Sequence, residues 1–458
     1  MTLTINQKVN YSLGRFGTSI AINMTDLLTG FLYYKYFGLS NSPFLAFLGV
    51  ALGKLAIAFS SYFAGYFSDA TKSRWGRRKP WIIFGAPLLA IMYFFLFTPN
   101  VWLAGTNDKY IIFSWLLVFN TLFQTLYGIV LTPYQSWLPE IATETEWLEV
   151  SGYQNIVNII AFTVGAGTAF LIPALLRTNP DKSVNFSATM KYLPISNGAF
   201  LGTVVLLFAF FIVLFFIPCL KLSIKENFKP NPSITEELGV VLHNKNYLGW
   251  IISRGIFSIT LSGLIGLMLA WVTDVLDFGT LNYIIFGIIV LVSVFVSIIY
   301  WVKYGNRNGK TKTYIFAIGS LIFILPFMSV IGIINIGIPP AYLGFLFGFL
   351  IAIGLAGYYV LPYAIIADIV LDDQIRTGDT SRAGLYYGFE SFPLNLAQFL
   401  GYLLLGSLLE LPKITNYLGI TFSEGYVIFG PLSAVFVIIS LIIFRKYVNA
   451  DPCFSKSA

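Results

Sequence analysis

Between Leu281 and Val302 the chain runs for 22 residues without one charged side chain. Wound as a helix at about 1.5 Å per residue, such a run crosses about 33 Å, the hydrocarbon thickness of a bilayer. It does not alternate like a barrel strand, whose lipid-facing and lumen-facing residues take turns over about ten positions. The pattern recurs. Polar breaks divide the sequence into twelve apolar segments at about 11–37, 43–67, 80–104, 110–136, 150–176, 196–220, 247–273, 281–302, 313–335, 340–366, 383–409 and 424–446. These predict an all-α membrane protein with twelve transmembrane helices. Only 11% of the 458 residues are charged and 57% are hydrophobic. A soluble domain carries roughly 25% charged residues. Soluble enzymes, nucleic-acid-binding domains and disordered scaffolds are thereby excluded, and the lipid bilayer is an expected partner.

Chemistry-bearing motifs are scarce. Cys219, Cys453 and the single His243 form no disulfide framework and no metal motif. No cofactor, no metal and no covalent catalysis are expected. A phosphate-binding glycine loop is absent from the sequence, so direct drive by ATP is not expected.

The loops orient the helices. With both termini placed in the cytoplasm, nineteen of the 28 Lys and Arg residues fall in inside segments, six fall outside and three lie within spans. Positive charge collects on the cytoplasmic side of membrane proteins, which supports that orientation. Residues 221–246, polar and rich in Lys, Glu, Asn and Pro, read as a cytoplasmic linker between six-helix bundles at 1–220 and 247–446, with a short tail at 447–458. The bundles echo each other. Thr132-Pro133-Tyr134 at the exit of helix 4 resembles Leu361-Pro362-Tyr363 at the exit of helix 10, and Gly152-Tyr153 has a counterpart in Gly384-Leu385-Tyr386. Repeats of this kind place a binding site near the midplane and work by alternating access.

Four stretches carry a family resemblance. They are Tyr11 to Gly17 (YSLGRFG), Ser68 to Trp81 (SDATKSRWGRRKPW), Pro133 to Glu140 (PYQSWLPE) and Ala367 to Gly384 (ADIVLDDQIRTGDTSRAG). In order and spacing they resemble the glycoside–pentoside–hexuronide:cation symporters, the melibiose permease-like branch of the major facilitator superfamily. The resemblance runs from about residue 9 to 445. It implies a secondary transporter of a small organic solute, a sugar or glycoside, acting as a monomer in the cell membrane.

The chain also departs from that family. Its cation-binding acids on helix 2 fall here at Ile57 and Ser61, its sugar-engaging helix 1 acid falls at Ser19, and its helix 4 acid falls at Leu131. Its helix 5 arginine falls at Gln154 and its helix 11 lysine at or near Asn395. A hard cation needs oxygen ligands, which Ile57 lacks. Coupling to Na⁺ is therefore not expected, and a proton or no ion takes its place.

The polar residues left inside the spans are the candidate site. Asp26 on helix 1 and Lys54 on helix 2 lie at similar depth, so they are expected to pair, with Asn23 on the face of Asp26. Gln124 and Tyr127 on helix 4, Gln154 and Asn158 on helix 5, Tyr359 on helix 10, and Ser391, Asn395 and Gln398 on helix 11 complete the expected substrate contacts. Amides donate and accept, and a tyrosine ring suits the apolar face of a sugar. Burial disfavours an ionised carboxylate, which makes Asp26 and Glu390 the available proton carriers. Lys54 beside Asp26 favours its charged form and makes Glu390 the better of the two. Arg15, Arg254 and Asp274 are expected to snorkel from helix ends. Asp69, Arg74, Arg77 and Arg78 on the loop after helix 2, with Glu140 and Asp368 as acidic partners, form the expected cytoplasmic gate. A basic cluster that only sets topology explains the same residues. Three alternatives remain at this stage: a facilitator without ion coupling, a carrier of amphipathic lipid or another non-sugar solute, and a transporter-like sensor.

Overall fold

A backbone in hydrocarbon has no water to bond, so an apolar run satisfies its own N–H and C=O groups by becoming a helix. The computed structural model describes residues 3–103, 106–142, 144–176, 197–222, 239, 242–331, 333–335, 337–377 and 383–449. Among these residues a long helix stands at each of the twelve predicted positions. In chain order they are α1 (Ile5–Lys35), α2 (Pro43–Ala70), α3 (Lys79–Phe97), α4 (Lys109–Ser136), α5 (Glu144–Leu176), α6 (Asn197–Leu214), α7 (Lys245–Asp274), α8 (Thr280–Asn308), α9 (Lys310–Val330), α10 (Pro340–Thr377), α11 (Ala383–Leu409) and α12 (Gly425–Tyr447). Short helical turns follow α3, α4 and α6 at Pro99–Trp102, Leu138–Ile141 and Phe216–Leu220. Eleven of the described helices, α2 to α12, are long and apolar enough to cross a membrane. The remaining one, α1, is long enough but carries Arg15, Asn23 and Asp26 along its length. The chain is a multi-pass membrane protein.

Several helices extend beyond their predicted ends, α1 back to Ile5 and α8 on to Asn308 among them, and two of the extensions carry acids. The acids at 144–149, expected in a loop, lie on the first turns of α5, where negative charge complements the N-terminal end of the helix dipole. Asp368, Asp372 and Asp373, also expected in a loop, lie on an extension of α10 that closes with Arg376 in its last turn. Apolar patterning ends where hydrocarbon ends, whereas helical hydrogen bonding continues into the polar region. The sequence also hid a two-stranded hairpin, β1 (Lys413–Thr415) antiparallel to β2 (Thr421–Ser423), between α11 and α12. Gly419, at φ +77°, takes the left-handed position in its turn, and Asn416 Oδ1 accepts from the N–H groups of Leu418 and Ile420. Three-residue strands are too short to leave a periodic signal.

The chain divides into two compact units, 1–230 and 231–458. In the first, α2 packs on α4, α1 on α5 and α6, and α3 on α4 and α6. In the second, α8 packs on α10, α7 on α11 and α12, and α9 on α10 and α12. Adding six to each helix number of the first set gives the second, so the repeat seen in the helix-exit motifs extends to the packing. Residues 223–238, 240 and 241 of the predicted linker lie outside the described residues, as does the tail beyond 449.

Candidate functional site

Small residues let α2 and α4 approach closely. Gly49 faces Leu116, Gly53 faces Asn120 and Gln124, Ser60 and Ser61 face Gly128, and Gly65 faces Thr132. The constant offset means two parallel helices in register. A Cβ on Gly53 would collide with Asn120 Nδ2 and sit 3.0 Å from Gln124 Cγ. The next residue, Lys54, turns to α1, where its Nζ lies 2.6 Å from Asp26 Oδ1. Lys54 is only 3% exposed. The two groups thus meet, as their matching depths imply. On α4, Asn120 Nδ2 donates to Gly49 O at 2.9 Å. Asn120 Oδ1 and both amide atoms of Gln124 are buried without a hydrogen-bond partner among the described residues. Gln124 is fully buried in the seam of α2 and α4, so its expected direct contact with substrate does not hold in this conformation. Asn120 escaped the sequence reading, although its four-residue spacing from Gln124 marks the shared face.

The second unit corrects a second expectation. Arg254 does not snorkel. It is buried on α7, and its guanidinium donates to Glu390 Oε1 on α11. Trp250 Nε1, one turn away, donates to the same oxygen at 2.9 Å. The guanidinium lies 5.7 Å from the Trp250 ring centre and 5.5 Å from that of Tyr358, within cation–π range. Buried charge requires a partner more than it seeks the interface, and α7 is the most enclosed of the candidate spans. Asp274 likewise accepts from Tyr426 Oη at 2.6 Å. Arg15 is half-buried in α1. Because Arg254 gives Glu390 a countercharge of its own, the sequence-based preference for Glu390 over Asp26 as proton carrier loses its basis.

The other candidates fall into local roles and half-buried positions. Asn23 Nδ2 donates to Ser19 O at 2.6 Å on its own helix, and Asn395 Nδ2 does the same to Ser391 O at 2.8 Å. Gln154 Nε2 donates to Tyr134 Oη at 3.1 Å. That tyrosine and Tyr11 stack at 4.8 Å and exchange hydrogen bonds with each other's carbonyls. Tyr127 is buried, whereas Asn158, Ser391 and Gln398 are half-buried. Tyr359 is 37% exposed beside the buried Tyr358.

Among the described residues the gate residues have these local partners. Arg78 is buried and donates to Asp69 and to Ser68 Oγ, so the loop after α2 is clasped to the start of α3. Asp368 accepts from Lys310 Nζ at 2.6 Å, tying α10 to the start of α9. Arg74 is exposed and lies over Trp75 at 5.0 Å, and Arg77 is half-buried. The Glu140 side chain lies outside the described residues. A further clasp was not anticipated. Lys8 Nζ lies 2.6 Å from Glu149 and 3.3 Å from Glu146 at the start of α5, and Glu146 also accepts from Leu3 N at 2.7 Å. The hydrogen bond to Glu149 holds the Lys8 ammonium above the ordinary lysine range, against a smaller opposing effect of burial.

Three comparisons place the chain among known proteins. It is 22% identical over 377 residues to the sodium-dependent lysophosphatidylcholine symporter 1 of Xenopus tropicalis, covering 76% of this chain and 69% of that protein. It is 25% identical over 161 residues to the isoprimeverose transporter of Lactiplantibacillus pentosus, covering 35% of this chain and 32% of that protein. The crystal structure of a D-xylose–proton symporter superposes with a TM-score of 0.61 at 14% identity, covering 97% of both chains, and so shares the fold. The sequence profile of the family described as MFS/sugar transport protein matches residues 10–444. The chain therefore belongs to the MFS/sugar transport protein family, and it is a secondary transporter of the major facilitator type, not an enzyme.

Proposed function

We propose that the protein moves a neutral polyhydroxylated solute, a sugar or glycoside, across the cell membrane by alternating access, coupled to protons and not to Na⁺. In this reading it works as a monomer with both termini in the cytoplasm, and the six-helix bundles at 1–220 and 247–446 are its moving bodies. The observation that carries the reading is a matched pair of amide rows. Gln154, Asn155 and Asn158 lie on α5, and Asn395 and Gln398 lie on α11. These two helices hold the same place in their units, each packed on the unit's first helix. The rows are uncharged, while Asp26 and Glu390 are already engaged by Lys54 and Arg254. Hydroxyl groups suit such amides, which both donate and accept. Proton uptake by either carboxylate then requires its cationic partner to release it, so coupling proceeds through the opening of such a pair.

Uptake into proteoliposomes tests this. A panel of radiolabelled sugars and glycosides is offered under imposed gradients. At least one should accumulate with a proton gradient and none with a Na⁺ gradient alone. Sugar accumulation driven by Na⁺, or no sugar moved at all, would overturn the proposal.

A second reading has its own support. The match to the lysophosphatidylcholine symporter spans 76% of this chain, and the charged sugar contacts of the resembling family are replaced here. An amphipathic lipid is then the cargo. Lysophospholipid included in the same panel separates the two readings.

A further inference from the structure

We propose that the Lys54 ammonium is a tethered counter-cation for Asp26, and that it masks a latent Na⁺ site. The inference rests on the Na⁺-independence proposed above and gives it a residue. A buried carboxylate needs a positive partner. In a cation-coupled transporter a dissolved ion can fill that role in one step of the cycle and leave in another. Here the partner is covalently attached, at 2.6 Å and 3% exposed, so it cannot leave.

The two helices that flank α2 carry buried oxygens of the kind a hard monovalent ion would use. On α1, Thr29 lies one turn from Asp26, and its buried Oγ1 has no hydrogen-bond partner among the described residues. On α4, Asn120 Oδ1 and Gln124 Oε1 are in the same condition, on side chains whose Nδ2 and Cγ face Gly53, the residue before Lys54. Native proteins seldom leave buried polar atoms unmade, and such atoms are where a water or ion is accommodated. With the ammonium present, a second cation meets a like charge and a carboxylate already neutralised, so water is the occupant that fits. With the ammonium removed, the Asp26 carboxylate and these three oxygens make a coordination set for Na⁺.

The test uses purified full-length protein without substrate, so its failure is distinct from failure to find a transported sugar. Melting temperature is measured in NaCl and in choline chloride of equal ionic strength, together with equilibrium binding of ²²Na⁺. The wild type should show the same melting temperature in both salts and no stoichiometric ²²Na⁺ binding. Lys54→Met should gain a saturable, Na⁺-specific rise in melting temperature, since a ligand bound only by the folded state stabilises it. Lys54→Met combined with Asp26→Asn should lose that rise. Stoichiometric Na⁺ binding by the wild type overturns the proposal, as does a folded Lys54→Met protein indifferent to Na⁺. If Lys54→Met does not fold in choline chloride, extraction in NaCl decides the matter: recovery in NaCl alone supports the latent site, and failure in both salts overturns it.

Discussion

The Arg254 guanidinium on α7 donates to Glu390 Oε1 on α11, with only 10% and 9% of the two side chains exposed. Removing one member of such a pair leaves an uncompensated buried charge, which costs about 3–5 kcal/mol, whereas replacing both by apolar residues is often neutral. Glu390→Gln should therefore lower stability by that order. Arg254→Met with Glu390→Met should recover most of it, as read by unfolding in detergent. In proteoliposomes Glu390→Gln should retain exchange and lose accumulation, and the double variant should also fail to accumulate. A double variant that accumulates substrate on a proton gradient would remove Glu390 from coupling.

Asp69 and Arg78 form one clasp at the end of α2, so breaking it from either side should have the same consequence. Arg78→Ala and Asp69→Asn should each shift the population toward the inward-facing state and reduce transport, with little change in substrate affinity. The double variant should resemble either single one, since the interaction is lost only once. Accessibility of single cysteines in the cytoplasmic cavity reports the shift. Additive effects, or none, would leave the basic cluster with a topological role alone.

Gly53 is fixed by the closeness of α4. Gly53→Ala should push Asn120 from its bond to Gly49 O and destabilise the first unit by about 1–3 kcal/mol, the usual cost of overpacking. Asn120→Ala added to Gly53→Ala should relieve part of that loss. If Gly53→Ala leaves the melting temperature unchanged, the seam is looser than its geometry states.

The Lys8 clasp makes a prediction about pH. Its ammonium is held above the ordinary lysine value of 10.5 by Glu149. A raised folded-state value means the contribution is fully present below about pH 10.5 and is lost only as pH rises through the shifted value. The difference in melting temperature between wild type and Lys8→Met should stay constant from about pH 7 to 9.5. Its collapse within that range would show that the pair does not persist in solution.

The helices were legible because hydrocarbon imposes one rule on every residue of a run. A span such as Leu281–Val302 leaves its backbone no partner but itself, and its side chains are uncharged throughout. The same local logic placed Asp26 and Lys54 at matching depths, since rise per residue is fixed. It also exposed the repeat, because the proline-tyrosine helix exits are written in the chain at Pro133-Tyr134 and Pro362-Tyr363. Which groups meet across helices was not written there. Arg254 sits 136 positions from Glu390 and Lys8 sits 141 from Glu149. Their pairing depends on which faces of α7 and α11, or α1 and α5, turn toward each other. Helix orientation about its own axis is set by the close packing of small residues against large ones, as Gly53 against Asn120 and Gln124. Such complementarity is a property of two surfaces at once, so only the tertiary structure decided that Arg254 is an interior ion-pair partner and that the Gln124 amide is sealed inside a seam.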